Sequence, residues 1–277
     1  MQGCFLLVRF LPCDKGIKNL NWFIAMGSIF SSVGFKVETQ KDLVELVENT
    51  IGDKEFSDSF GVFQKVQLAG YTLNAGHGIV FNVNLAHTGE GWEIVDVSPC
   101  FYGSKEHAVV LKDCELYQDV EDEWKFYLYG IDEETGTPVE LYISNFVQCA
   151  SFLPPMAEKY EIVPVGLAYN GEILPARRLI QTEDMEEGST MANFFVQTAQ
   201  IQAMENIPPV VYGLLGDILD VKKIKNEWTG EEVYWLYVDT SPFKLEVLVN
   251  PADLEGEPEV GKRLFATVWL QGEVTPK

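Results

Sequence analysis

The chain has 277 residues, with 42 Asp or Glu against 20 Lys or Arg and a formal net charge of -22. Its 47% hydrophobic and 12% aromatic content excludes a wholly disordered chain and suffices for one large domain or two ordinary ones. The charge argues against nucleic acid, which needs clustered Lys and Arg, and against an anionic membrane surface; no apolar stretch reaches the ~18–20 residues of a membrane-spanning helix.

Residues 1–25 differ from the rest, carrying Arg9, Lys15 and Lys18 against Asp14. Cys4 to Val8 resembles the apolar part of a signal peptide. Arg9 interrupts it, nothing basic precedes it, and no small-residue cleavage site follows closely. Met26 stands directly before Gly-Ser-Ile-Phe-Ser-Ser-Val-Gly-Phe and a well-marked helix, which places a start there. Residues 1–25 are therefore expected to be an extension without a role in the fold. The competing expectation is an edge strand over Phe5 to Val8.

Thr39-Gln40-Lys41-Asp42 reads as a helix start, with Thr39 as cap and Asp42 near the positive dipole end. Leu43, Val44, Leu46, Val47 and Ile51 form one apolar face, and Gly52 suits the residue after the last turn. From Val66 the period becomes two. Gly78 to Leu85 and Trp92 to Val97 are predicted strands joined by the hairpin loop His87 to Gly91. His107 to Leu116, Trp124 to Tyr129, Val139 to Ile143 and Glu161 to Tyr169 follow, the last ending at a turn at Asn170-Gly171. Residues 178–206 read as an acidic loop around Glu183 to Glu187, then a helix or irregular arm over Met191 to Met204. Ile207-Pro208-Pro209 marks a boundary.

Beyond it, Val210 to Ile224 is a long strand in which Gly213 and Gly216 permit a bend or bulge. Glu232 to Asp239, Phe243 to Val249 and Leu264 to Gln271 are further strands, with a short helical turn at Asn250 to Leu254. The expected fold is α+β and mostly β. It comprises the extension 1–25, an antiparallel sheet domain with an N-terminal helix over 26–206, and a small OB-like or SH3-like partial barrel over 207–277 that lacks an evident fifth strand.

Five cysteines, Cys4, Cys13, Cys100, Cys114 and Cys149, include no C-x-x-C pair. Their odd number and wide spacing suit buried free thiols of a reducing compartment, hence a cytoplasmic location. His77 and His87 flank one strand, whose eight residues span ~27 Å. That is too far for a shared metal, and His107 could approach only one of them across the sheet. No zinc, cofactor or catalytic residue is assigned. The runs Asp119 to Glu123 and Asp132 to Glu134 read as solvated turns, with a weak divalent-cation site as the alternative.

In the C-terminal strands Phe243, Leu245, Val247 and Val249 face one side, as do Leu264, Ala266, Val268 and Leu270. Trp235, Tyr237, Phe265 and Trp269 are left on the opposite side as a candidate aromatic face. It could pack against residues 26–206, serve as a protein interface, or stack nucleic-acid bases. The seven basic and 12 acidic residues from 206 to 277 disfavour the bases. The expected activity is non-catalytic intracellular binding of a protein, with a basic protein as partner. The alternatives are a hydrolase using carboxylates or a single histidine, and an OB-like nucleic-acid binder disfavoured by the net charge.

Two stretches carry a resemblance. One is Ser28-Ile29-Phe30-Ser31-Ser32-Val33-Gly34-Phe35 with its helix. The other runs from Gly213-Leu214-Leu215-Gly216-Asp217-Ile218-Leu219, through Leu254-Glu255-Gly256-Glu257-Pro258-Glu259-Val260-Gly261, to Trp269-Leu270-Gln271-Gly272. Both resemble uncharacterised bacterial families known only as domains of unknown function. The resemblance implies a bacterial cytoplasmic protein without assigned activity, and it brings no functional residues.

Overall fold

In the computed structural model, residues 29–118, 124–154, 156–176, 192–198 and 209–275 are described. The expectations for residues 1–25, for the acidic run at 119–123 and for the acidic loop at 183–187 lie outside them.

The chain is mostly β. Residues 59–101 form a four-stranded antiparallel meander of β1 (Ser59–Phe63), β2 (Val66–Asn74), β3 (Ile79–Thr88) and β4 (Gly91–Phe101). Helix α1 (Gln40–Ile51) packs on β2 and β3. It starts where the sequence places it. Thr39 Oγ1 accepts from the Asp42 N–H, and the Asp42 carboxylate accepts in return from the Thr39 N–H at 2.8 Å. Leu43, Leu46, Val47 and Ile51 are buried in one cluster with Tyr71, Phe81 and Val83. Strand β1 was not legible in the sequence, because five residues with two glycine-like or polar positions carry too short an alternation.

The remaining strands are β5 (Val109–Gln118), β6 (Phe126–Asp132), β7 (Pro138–Ile143), β8 (Met156–Leu174), β9 (Phe194–Gln197), β10 (Val211–Lys225), β11 (Glu232–Asp239), β12 (Lys244–Val249), β13 (Leu254–Glu255) and β14 (Arg263–Thr275). A four-residue helix, α2 (Phe146–Cys149), joins β7 to β8. Their pairings close two rings. One runs β5-β6-β7-β14-β8 and back to β5; the other runs β10-β11-β12-β8-β14 and back to β10. In each ring four strands come from one half of the chain and one from the other, and the ladder β8–β14 belongs to both.

The two rings are equivalent by pairing. Val109↔Ile162 in the first stands where Gly213↔Thr267 stands in the second. The parallel pair Tyr142↔Gln271 stands where the parallel pair Val247↔Gly166 stands. A pseudo-twofold therefore passes through the middle of the β8–β14 ladder. The strand not evident in the C-terminal segment is β8, supplied from upstream of the boundary expected at 206/207.

Strand β8 does not end at Asn170-Gly171, as the sequence suggested. It continues to Leu174, with Asn170 opposite Thr267 and Gly171 opposite Ala266. A Cβ on Gly171 would come within 3.0 Å of Leu254 Cδ1 and 3.2 Å of Leu264 Cδ1. The glycine there serves close packing rather than a turn. Likewise Phe194 to Gln197, expected in a helix or arm, pairs as β9 with the outer edge of β10.

Each ring needs its first strand to bend. In β10 the register shifts between Ile218 and Asp220, just after Gly216, and in β5 between Lys112 and Glu115, where Asp113 has φ 52°. The bend lets one strand pair with β14 along its first half and with β11 along its second. The ring interiors hold the apolar positions that periodicity picks out, among them Leu245, Val247, Val249, Leu264, Ala266, Val268 and Leu270.

Residues 29–34 dock onto loops of the second ring. Asn226 Nδ2 donates to the Val33 carbonyl at 2.9 Å, Thr229 Oγ1 to the Gly34 carbonyl at 2.7 Å, and Asn250 Nδ2 to the Ser31 carbonyl at 3.1 Å. Ser31 Oγ donates to Asp253 Oδ2 at 2.9 Å. The two stretches that carry the family resemblance thus hold each other. The layers run α1, four-stranded sheet, then the double ring.

A Cβ on Gly216 would overlap Val238 Cγ1 and come within 2.8 Å of the Asp239 carbonyl, whereas one on Gly213 would come no nearer than 3.9 Å to any side chain. We expect Gly216→Ala to cost ~1–3 kcal/mol in denaturant unfolding, as overpacking does, and Gly213→Ala to stay within ~1 kcal/mol of wild type. Equal effects at both positions would contradict the packed bend.

Candidate functional site

Register places one transverse row of side chains on the face of the double ring that meets the four-stranded sheet. It runs Tyr142 on β7, Gln271 on β14, Val165 on β8, Glu246 on β12, Tyr237 on β11 and Asp220 on β10. Strand β4 and the turn after it pass along this row, and the contact is polar at both ends.

At the first end, Asp96 on β4 accepts from the Tyr142 hydroxyl at 2.7 Å, from Asn84 Nδ2 at 3.1 Å and from Ser98 Oγ at 3.4 Å. Beside it Asn82 Nδ2 donates to the Ser144 carbonyl at 3.0 Å, and Thr72 Oγ1 donates to Asn82 Oδ1 at 2.9 Å. Burial, reinforced by the Asp96 charge, pushes the Tyr142 hydroxyl well above its ordinary value, so it remains a donor. Asp96, Ser98, Tyr142, Lys125 and Trp269 border a cavity of about 20 Å³, room for about one water molecule.

At the second end Glu246 is 1% exposed. Its Oε1 accepts from the Ser104 N–H at 2.7 Å and meets His107 Nδ1 at 2.7 Å, while Oε2 accepts from Trp235 Nε1. The His107 ring stacks on Tyr237 with centroids 3.8 Å apart and planes at 14°. Lys222 Nζ lies 4.3 Å from the centre of the Trp235 ring. Gly103 lets the turn approach this closely, since a Cβ there would lie 2.7 Å from Val163 Cγ1 and 3.1 Å from Glu246 Cδ.

Both buried carboxylates are thus surrounded by the protein's own donors, which offset the cost of removing them from water. This chemistry fastens one layer to another. Between the two ends Gln271 is fully buried, and its amide N and O have no hydrogen-bond partner.

Of the four aromatic residues singled out in the sequence, Trp235, Trp269 and Tyr237 lie in or against one cluster that packs on residues of the four-stranded sheet, and Phe265 lies apart. Trp235 and Tyr237 lie at the second end, where His107 and Lys222 cover them. Trp269 is 6% exposed and packs at the first end, 6.0 Å from the Tyr142 ring. Phe265 is 43% exposed, beside Phe194 at 6.2 Å. The histidines are also dispersed: His77 is 3.8 Å from Glu227, His87 stands edge-on to Trp92, and His107 joins Glu246. Among the described residues no three His, Cys, Asp or Glu side chains group as metal ligands. Asp132, expected in a solvated turn, is buried and accepts from the Thr135 N–H at 2.9 Å and its hydroxyl at 2.6 Å. Sequence reasoning missed Glu246 and Asp96 because an isolated acid in an alternating strand reads as a solvent-facing position.

A second feature lies on the opposite face of the four-stranded sheet. Helix α1 covers the half that carries Tyr71, Phe81 and Val83. Over the other half run two rows, Phe60-Ala69-Leu85-Ile94 and Val62-Gln67-His87-Trp92; Ala69 and Leu85 are buried in the α1 cluster, and Gln67 and His87 are exposed. Phe60 is 57%, Val62 42% and Ile94 39% exposed. Phe60 and Trp92 meet edge to face with centroids 6.4 Å apart.

These features define a mostly β protein of two fused strand rings under an additional sheet. Residues 204–272 match the family model described as "Domain of unknown function, E. rectale Gene description (DUF3881)". That match covers most of the second ring. Searches of curated proteins and of solved structures each gave no match.

Three measurements check the polar contact and the buried thiols. Glu246→Ala would leave three donors without their acceptor and should cost ~2–4 kcal/mol in chemical denaturation. Gln271→Met removes an unpaired buried amide and should leave stability unchanged or raise it by ~1–2 kcal/mol; a loss above ~2 kcal/mol would show that the amide is paired. Burial raises the Cys100 and Cys149 thiols to about 12. Peptide mapping after iodoacetamide at pH 8 should find both unmodified in the native protein and alkylated after denaturation.

Proposed function

We propose that this chain is a non-catalytic binding protein of the bacterial cytoplasm and that its ligand is another protein with basic character. The observation that carries this reading is the half of the four-stranded sheet that, among the described residues, no helix covers. Phe60, Val62, Trp92 and Ile94 form a contiguous apolar surface on a protein with a net charge of -22. Monomers seldom expose such patches without a use for them. The acidic balance favours a partner with Lys and Arg around an apolar centre, by steering and by excluding acidic competitors. Buried free cysteines at Cys100, Cys114 and Cys149 suit a reducing compartment. Among the described residues no helix is long and apolar enough to cross a membrane. The polar contact between layers supports the non-catalytic reading, since its carboxylates already serve the protein's own donors.

The test compares affinity purifications with three baits: wild type, Phe60→Ser/Ile94→Ser, and Val260→Ser. Val260 is an exposed apolar residue on the loop before β14, away from the sheet. All three baits should melt alike. The expected outcome is a protein recovered at least ~tenfold less with the double variant, equivalent to ~1.4 kcal/mol of binding, and undiminished with Val260→Ser. Purified, that protein should bind wild type directly. Recovery that is indifferent to the double variant would overturn the assignment of the patch.

A further inference from the structure

We infer that the uncovered half of the sheet receives an amphipathic helix of the partner, apolar on one face and rich in Lys or Arg on the others. This rests on the binding reading above and adds the form of the ligand.

The argument begins with what the same face already holds. Helix α1 lies on β2 and β3 through Leu43, Leu46, Val47 and Ile51. Its layer stops short of Phe60, Val62, Trp92 and Ile94. Sheet faces are buried by helices or by other sheets, and a helix laid beside α1 would complete this layer. Its stripe of residues at i, i+3, i+4 and i+7 would lie along Phe60, Trp92 and Ile94, with Val62 at one side and Gln67 and His87 as polar neighbours.

The other common mode, addition of a strand to the sheet edge, is obstructed at β1. The Val62 N–H, which points away from β2, is already donated to Ser151 Oγ at 3.0 Å. The Val147 carbonyl oxygen occupies the space where a Cβ on Gly61 would stand. Ser151 therefore occupies an edge donor of β1, while Val147 closes the face opposite Phe60 and Val62. At β1 a partner can therefore reach the face more readily than the ladder.

Charge selects the composition of that helix. Glu45 and Glu48 are exposed on α1, Glu55 is exposed before β1, and Glu90 is exposed in the β3–β4 hairpin beside Trp92. Asp53 and Asp58 are exposed on the same segment as Glu55, and the opposing charges on these elements are Lys41, Lys54, which pairs with Asp58, and Lys65. Acids thus outnumber bases around the apolar surface. A second copy of this chain would bring two strongly acidic surfaces together, so a basic partner is favoured.

The test uses a labelled model peptide of about 18 residues with Leu at i, i+3, i+4 and i+7 and Lys elsewhere. Its controls are the same composition scrambled and a version with Glu for Lys. In fluorescence anisotropy against the full chain, the Leu/Lys peptide should bind saturably at one per chain, more weakly as salt rises. The scrambled peptide and the Phe60→Ser/Ile94→Ser variant should each weaken binding at least ~tenfold, and the Glu peptide should not bind. Equal binding of the scrambled peptide would show charge attraction alone and overturn the inference. So would binding unchanged in the double variant. A protein partner lost with the double variant but not displaced by the Leu/Lys peptide would leave the binding reading standing and refute the helix. Peptide binding without any such partner would point the failure at the proposed function instead.

Discussion

The antiparallel ladder between β8 and β14 is the constraint on which the rest of this structure depends. It runs from Arg263↔Leu174 to Thr275↔Glu161 and is shared by both rings. Neither ring can close without a strand from the other half of the chain: β14 completes the first and β8 completes the second. Main-chain hydrogen bonding is obligatory for buried strands, so the two halves complete each other's ladders rather than standing side by side. The family-model match over residues 204–272 covers most of the second ring but not β8, which lies well upstream. A fragment restricted to that match would leave β12 and β14 without their common neighbour.

The second organising contact is polar in part. Where the double ring meets the four-stranded sheet, Val165, Leu167, Trp235 and Trp269 share an apolar cluster with sheet residues such as Val80 and Cys100, and Asp96, Tyr142, Asn82, Glu246 and His107 add the polar bonds. Such contacts add little net stability over well-packed apolar groups, but removing one partner is costly because the others stay buried and unpaired. Apolar surfaces could slide against each other with little penalty. A Glu246 held by Ser104, Trp235 and His107 fits one placement of the sheet on the rings. The turn after β4 is pinned at Gly103, Ser104 and His107, which fixes where β5 begins. The same fastening leaves the other face of the sheet half covered by α1 and half open, which is where the apolar patch lies.

How much of this was legible varies by element. Helix α1 was legible down to its cap, because Thr39, Asp42 and the apolar spacing are all local signals. Inward-facing residues of β12 and β14 were legible from alternation alone. Strand β1 was too short to register, and β8 was cut at Asn170-Gly171 because that dipeptide is a strong turn signal. Tertiary packing against Leu254 and Leu264 overrode it. For the candidate aromatic face, alternation gives a side chain's direction but not what lies opposite. Trp235 and Trp269 proved to meet different parts of the sheet layer, and Phe265 met Phe194.

The sequence by itself determined the class of the protein, the position of its secure helix, the apolar faces of its C-terminal strands and its acidic character. All of these follow from composition or from periods of two and 3.6 residues, which need no knowledge of distant neighbours. Only the tertiary structure decided that β8 supplies the missing strand, that Glu246 and Asp96 are buried acceptors, and that Phe60, Val62 and Ile94 remain uncovered. Each of these depends on which segments meet across long stretches of chain, and burial is a property of the meeting rather than of the residue.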